Sequence, residues 1–472
     1  MTNWPNSWRG RRRGKNSDSD LLSLASCRVM NESYFDYTDR LFDLGRVFVK
    51  PEALEGLRAI EVATLIMGPS NCNYLAEFGA EVIKIELPGV GDTMRYVITD
   101  GRPWKNANPA FFPQNRSKYH VGLDIRKPEG QELFRALAAK SDFVVENLRA
   151  ATMEGWGVGW RQLSALNPRL IYMADSGFGQ WGPFSQGRVS YDGVAQVVSG
   201  LAEITGFPGR PPTKVGVWLG DYFGALLAAV AGLVALEHRE ATGRGQFIDL
   251  AQTEGLIRVM DWTWLYHHLT QQDRPRAGNR DLAISPSDIF RVQDGFCAIA
   301  AGLDEEFRGL CLAMGRPELA DDPRFKTLEA RLDPGHNEEL CGLIARWAAG
   351  KTQAELNELG AAHGFAAAAV MNAEAIYHDE HYRSRGTVWE FEDPLYGQIV
   401  DHGPVPKLSE TPGRIKWAAK PVGWHNDYVF RTILGLTSSE LHELEARKII
   451  GKWGPRPGAK PPDDWQGEGG AF

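Results

Sequence analysis

Apolar and polar positions alternate in blocks that change period along the chain. Residues 57–64 (LRAIEVAT) are apolar and β-prone, and the Gly68-Pro69 pair breaks the chain just after them. Residues 70–79 (SNCNYLAEFG) read as a short helix ending at Gly79, and residues 81–86 (EVIKIE) as a second strand. Strand, helix and strand in this order predict a right-handed βαβ unit on a parallel sheet. The theme repeats. Residues 128–141 carry helical spacing, 142–147 (DFVVEN) read as a strand, 160–168 as a helix stopped by Pro168, and 169–177 (RLIYMADSG) as the next strand. Such a doubly wound layout collects ligands at the carboxyl ends of its strands.

After residue 270 the composition shifts. Residues 271–281 (QQDRPRAGNRD) are polar and rich in breakers, and beyond them short strands (295–302) mix with helices (337–350). The fold class predicted is α/β, a Rossmann-like doubly wound large domain with a smaller α+β domain. The expected division is an N-terminal extension at 1–50, the large domain at 51–254, a linker at 255–285, the small domain at 286–380, a linker at 381–410, a return to the large domain at 411–455 and a mobile tail at 456–472.

Composition narrows the function. A chain of 472 residues with 43% apolar and 24% charged residues is ordinary for a globular enzyme of two domains. A net charge of −8 gives no electrostatic case for nucleic acid. The cysteines Cys27, Cys72, Cys297, Cys311 and Cys341 are scattered without a CxxC pair, which supports neither zinc nor a disulfide framework and makes a reducing cytoplasm the default compartment. The apolar run at 222–236 is short for a bilayer and is followed by Glu237-His238-Arg239-Glu240, so it reads as a buried core helix and no membrane is expected. Residues 1–29 carry a basic run around Arg11-Arg12-Arg13 and no apolar stretch of a signal peptide; they read as a disordered tail, or as sequence upstream of a true start at Met30.

Asp221 stands out. It follows Gly220 and opens the apolar run, the place of a helix N-cap. A capping role alone would explain it. A nucleophilic role would also suit it, because helix-start amides favour an ionised carboxylate and Gly220 and Gly224 leave room for a close approach. The Trp-rich stretch at 261–268 (DWTWLYHH) reads as core packing, or as the wall of a pocket for a bulky acid.

A set of motifs in fixed order decides between these roles. GAEVIKIE (79–86), NRSK (115–118), GLDIRKPEG (122–130), VVEN (144–147), SGFGQWGP (176–183), YDGVAQ (191–196), LGD (219–221), HREATGRGQFIDLAQTE (238–254), DDPRF (321–325) and GWHNDYV (423–429) together resemble the class III CoA-transferases, the formyl-CoA and carnitine-CoA transferase family. The resemblance implies that Asp221 is the nucleophile. It implies transfer of coenzyme A from an acyl-CoA to a carboxylic acid through an aspartyl anhydride and an aspartyl-CoA thioester. These bonds are nearly isoenergetic, so neither ATP nor metal is needed, and CoA is substrate rather than a resident cofactor. By the same resemblance, Leu123, Asp124, Ile125 and Arg126 meet the adenine and phosphates, with Asn147, Leu148 and Arg149 beside them. The two arginines suit phosphate. Arg188, Val189, Ser190 and Tyr191 belong near the thioester, and Ile66 and Met67 along the CoA channel. The assembly implied is an interlocked, ring-like homodimer, or a heteromer with a homologous subunit.

The chain also departs from the formyl-CoA enzymes. They have a glutamine at Ile66, basic residues at Leu87 and Gly155, a tryptophan at Val97, and a glycine-rich loop that residues 275–305 lack. Oxalate and formate are therefore poor substrate guesses. An α-methylacyl-CoA racemase of the same fold would need a histidine where Tyr191 stands, and a phenol is a weak carbon base at neutral pH. A silent CoA-binding subunit fits poorly with an intact LGD, and a dinucleotide dehydrogenase with the absence of GxGxxG after the first strand.

Overall fold

The computed structural model describes residues 32–96 and 108–452. The tail readings at 1–29 and 456–472, and Val97, lie outside the described residues. The main sheet joins β1 (Arg58–Val62), β2 (Glu81–Glu86), β3 (Tyr119–Gly122), β4 (Phe143–Glu146), β5 (Ile171–Ser176) and β6 (Phe247–Ala251) in the order β3-β2-β1-β4-β5-β6. Every pairing is parallel, with Ile60 of β1 between Ile83 and Val144. The chain winds outward in both directions from β1, so the topological switch point lies between β1 and β4.

Alternation along the strands sends side chains to two cores. On one face Ile60, Ile83, Val121, Val144 and Tyr172 pack with Phe134 of the Pro128–Ala138 helix, and with Val429 and Phe430 from the returning C-terminal segment. On the other, Ala59, Val82, Phe143, Val145, Ile171 and Met173 pack against α1 (Met67–Glu77) and the long α2 (Leu219–Thr242). A stripe of small residues, including Gly224, Ala228, Gly232 and Ala235, lets α2 lie close on the sheet; a Cβ at Gly232 would stand 3.2 Å from the Met173 methyl.

Only that stripe of α2 is covered. Leu226, Val230, Leu233 and Val234 are exposed on its outer side, so the helix is half-buried rather than the enclosed core helix expected. By length and composition it is long and apolar enough to cross a membrane.

The stretch at 255–285, expected as a linker, begins in the helix Gln252–Arg258 and includes the helix Thr263–Thr270. That at 381–410 contains an antiparallel hairpin, Val388–Asp393 with Gly397–His402, whose Tyr396 and Ile399 pack with Phe111 and Phe112. The breakers at 271–281 lie beyond the helices, and the hairpin packs its inner side on residues distant in sequence. A separate core forms around the three-stranded antiparallel sheet of Ser287–Val292, Gly295–Ala300 and Ala366–Ala369, from Phe290, Ile299, Phe307, Leu310, Ile344 and Leu356.

Charges are buried at the carboxyl end of β1. Glu61 bonds Lys84 Nζ at 2.5 Å and Lys118 Nζ at 2.6 Å, and all three side chains are fully buried. Lys84 also pairs with Asp92 at 2.9 Å, whereas among the described residues Lys118 has no carboxylate but Glu61. Glu61→Leu should therefore cost about 3–5 kcal/mol, since it leaves an uncompensated buried ammonium. Adding Lys118→Met should recover most of the loss. Urea unfolding midpoints of the two variants check this, and an unchanged midpoint for Glu61→Leu would contradict it.

Candidate active site

The loop from β1 to α1 is over-determined. Lys84 Nζ donates to Ala63 O at 3.0 Å and Lys118 Nζ to Pro69 O at 2.7 Å, so the buried lysines grip the loop's first residue and the first turn of α1 beyond it. Thr64 N donates to Asn147 Oδ1 at 2.9 Å, and Asn147 Nδ2 donates back to Thr64 O at 2.7 Å. Leu65 sits at φ +64°, a costly conformation for a branched side chain, and its amide is held by Asp92 Oδ1 at 2.9 Å. Gly68 is required here: a Cβ would stand 2.5 Å from that of Ala63.

Beside the loop lies a cleft of about 170 Å³, several times the ~30 Å³ share of one water. Its walls are Val62 at the end of β1, Ala63 and Thr64 of the loop, Leu87, Leu123, Asp124, Ile125, Arg126, Leu148 and neighbouring residues, at the strand ends next to the switch point. Five sequence-predicted residues, Leu123 through Arg126 and Leu148, thus share one recess. The Arg126 guanidinium is tied to Asp124 at 2.8 and 2.9 Å, and this pairing holds the Asp124 carboxyl below its ordinary range. Arg149 is exposed, and its guanidinium makes no hydrogen bond among the described residues. Asn147 is spent as the loop clamp. Ile66 and Met67 are buried, with Ile66 packed among Phe111, Phe112 and Tyr396.

Asp221 is not a wall of this cleft, and neither are Arg188 to Tyr191. The link between them is Met67. A Cβ on Gly224 would stand 2.8 Å from its Sδ, one helical turn along from Asp221. Gly224 therefore makes room for Met67, where room for a ligand was expected. Gly220 likewise faces protein: its Cβ would meet Leu256, Asp192 and Gln252.

Asp221 is also not the cap. The helix begins at Leu219 with Trp218 in the N-cap position, which puts Asp221 inside the first turn. Its Oδ1 accepts from Gln252 Nε2 at 2.6 Å; among the described residues Oδ2 accepts no hydrogen bond. The Gly220 amide at the helix start is already engaged: it donates to Asp192 Oδ1 at 2.7 Å. Asp192 Oδ2 accepts from Gln196 Nε2 at 2.7 Å, so both its oxygens are engaged. The helix start was expected to keep Asp221 ionised. Instead burial, aided by the Asp192 charge, raises it to about 7 against the opposing bond from Gln252. Burial likewise pushes Asp175 to about 7 and Glu146 to about 8.

The loop after β5 completes the surroundings. Ser190 packs on Gly177 and reaches Gln252 Oε1 at 3.5 Å. Arg188 lies over the Phe184 ring at 3.7 Å, while Val189 and Tyr191 are exposed. The Trp-rich stretch is not core: Trp264 and Leu265 are exposed, and Trp262 meets Tyr266 edge-on and lies under Arg274. Sequence reasoning named neither Gln252 nor Asp192 as partners of Asp221. The signal was present in the YDGVAQ and AQTE motifs, whose polar residues interrupt apolar helix starts.

Comparison with known proteins agrees with this architecture. The family model described as CoA-transferase family III matches residues 54–426. Succinyl-CoA–D-citramalate CoA-transferase of Chloroflexus aurantiacus is 39% identical over 85% of this chain and 98% of its own length. The succinyl-CoA–L-malate CoA-transferase alpha subunit of the same species is 36% identical, covering 84% and 92%. The crystal structure of a CAIB/BAIF family protein from Brucella suis superposes with a TM-score of 0.71 at 29% identity, over 81% of this chain and all of that one.

The raised carboxyl has a consequence for stability. Its folded pKa of about 7 stands above the ordinary 3.8, so its contribution is full below pH ~4 and is lost as the pH rises through 7. Asp221→Asn removes that loss. Its melting temperature should exceed the parent's by a few degrees at pH 8, and the gain should shrink at pH 5. A pH-independent difference in calorimetry would contradict the burial argument.

Proposed function

The chain belongs to CoA-transferase family III and is a CoA-transferase; from that premise we propose that Asp221 is its covalent nucleophile. In the first step an Asp221 oxygen attacks the donor acyl carbon. A C–O bond forms, the C–S bond breaks, and CoA leaves as thiolate. The thiolate attacks Asp221 Cγ, which makes the aspartyl-CoA thioester and expels the donor acid as its carboxylate. The acceptor carboxylate then attacks Cγ and displaces the thiolate, which takes the new acyl group and frees Asp221. What supports this reading above all is the carboxylate's own setting, with Oδ1 held by Gln252 and Oδ2 unengaged among the described residues. The racemase alternative is weakened by the same geometry. Tyr191 is exposed, and both oxygens of Asp192 are committed to Gly220 and Gln196.

The relatives' names bear on the substrates. Both curated relatives pair succinyl-CoA with a hydroxylated dicarboxylic acid. We propose the same class here, a succinyl-CoA donor and a short dicarboxylate acceptor, with the CoA nucleotide in the Leu123–Arg126 and Leu148 cleft beside Arg149. A second copy of the chain, in the ring-like dimer, is proposed to cover the Leu226, Val230, Leu233 and Val234 face of α2.

Two outcomes are expected. Asp221→Ala should lower CoA transfer by on the order of 10⁴-fold or more while the fold persists, and hydroxylamine with succinyl-CoA should leave a hydroxamate on the wild-type Asp221 peptide. Near-normal transfer by the variant, or α-proton exchange of a 2-methylacyl-CoA without CoA movement, would refute the assignment. Light scattering should give a dimer, and Leu233→Glu should weaken it; a monomeric, active wild type would remove the assembly proposal.

A further inference from the structure

Gln252 is buried at the first position of the Gln252–Arg258 helix, directly after β6. Its backbone is fixed from two sides. Ala251 pairs with Ser176 in the sheet, and Thr253 N and Oγ1 both donate to Gly177 O, at 3.2 and 3.1 Å. Its Cγ lies 3.3 Å from where a Gly220 Cβ would stand, so the glutamine is pressed against the start of α2. That contact directs the side chain toward Asp221, Ser190 Oγ donates to its Oε1 at 3.5 Å, and its Nε2 ends 2.6 Å from Asp221 Oδ1.

We infer that Gln252 is a further catalytic residue, whose Nε2 amide is the oxyanion donor for every step in which Asp221 Cγ is the carbon attacked. The inference rests on Asp221 being the nucleophile. Once Oδ2 carries the acyl group, Oδ1 is the carbonyl oxygen of the anhydride. When thiolate attacks Cγ, the C=O π electrons move onto Oδ1, which becomes the tetrahedral oxyanion at hydrogen-bond distance from Nε2. Collapse restores the C=O bond and expels the donor carboxylate, with the thiolate bonded to Cγ. Later attack by the acceptor on the thioester passes through the same oxyanion and expels the thiolate. One donor aimed beforehand at the oxygen that gains charge is the arrangement that lowers such barriers. Before the first step the same bond holds Oδ1 and leaves Oδ2 to attack.

Other groups around Asp221 do not duplicate this donor. Asp192, facing it from the Asp192–Val198 helix, is a carboxylate that accepts from Gly220. Asp175 of β5 is bonded by Asn71 and Asp249 of β6 by the Gln180 amide; Glu254 is exposed. Tyr222, next along α2, has its hydroxyl at 2.5 Å from Gln114 Nε2; on α1 the Asn71 and Asn73 amides donate to Asp175 and Glu77, and the one charged residue there, Glu77, lies at the far end paired with Arg116.

Gln252→Met keeps the length of the side chain and deletes the donor. Its kcat for succinyl-CoA with an accepted dicarboxylate should fall roughly 10²–10³-fold, the loss of one oxyanion donor, with KM for succinyl-CoA within about threefold. Intact-protein mass spectrometry after mixing with succinyl-CoA alone should show the CoA adduct forming more slowly by a similar factor. A folded variant with kcat within about threefold of the parent overturns the inference. If the methionine variant does not fold, Gln252→Glu, of nearly the same shape, replaces it. Its carboxyl donates only while protonated, so its rate should be bell-shaped in pH where the parent's rises through about 7 to a plateau; a plateau in this variant also overturns the inference. Wild type that forms no adduct on Asp221 refutes the nucleophile itself, a result separable from any effect at Gln252.

Discussion

Two lysines and one glutamate beneath the switch point carry more of this structure than their number suggests. Glu61, fully buried, binds Lys84 of β2 and Lys118, the residue just before β3. Burying three charges is expensive, and such a cluster is poor evidence for stability as such. Its use here is geometric. Each ammonium has a further hydrogen bond to give, and they go to Ala63 O at the start of the β1–α1 loop and to Pro69 O in the first turn of α1. Asp92 pairs with Lys84 and also pins the strained Leu65 amide. A loop at a sheet's carboxyl edge, where backbone groups face a ligand, is thus held by charges that cannot leave their partners without heavy cost. Met67 then transmits the loop's position to α2 through its contact at Gly224.

The parallel sheet and its helices were legible because their signals are local: alternating or continuous apolar strands, helical spacing, and stops at Gly79 and Pro168. The cleft residues Leu123 to Arg126 and Leu148 were reachable through motif order, since strand ends at a switch point converge by topology. What sequence did not reveal depends on contacts between distant segments. The direction of the Asn147 amide is set by Thr64, that of Asp192 by Gly220, and the space beside Gly224 is filled from another helix. The hairpin at Val388–His402 looked like linker because Glu390, Glu392 and Gln398 are exposed on its outer side, while its inner side packs on residues distant in sequence, among them Phe111, Phe112, Ala418 and Ala419. The helix boundary at Leu219 was missed for a related reason. Trp218 supplies no side-chain cap, so the start carries no capping residue to read.

The environment of Asp221 reconciles two demands. A carboxylate that is too well stabilised is a poor nucleophile, and one that is never ionised is none at all. Burial and Asp192 push its pKa up to about 7, while Gln252 pulls it down. Near neutrality the group is then divided between its two forms. The ionised half is more basic than an ordinary aspartate and correspondingly better at attacking an acyl carbon. The helix start contributes less than its position suggests, because the Gly220 amide is already bonded to Asp192. Asp192 therefore acts on Asp221 twice: it occupies a donor that would have stabilised the carboxylate, and it adds a like charge nearby. A low-pKa aspartate at a bare helix N-terminus and this one differ by that neighbour and by burial, and the second setting is the one that suits the covalent role proposed for Asp221.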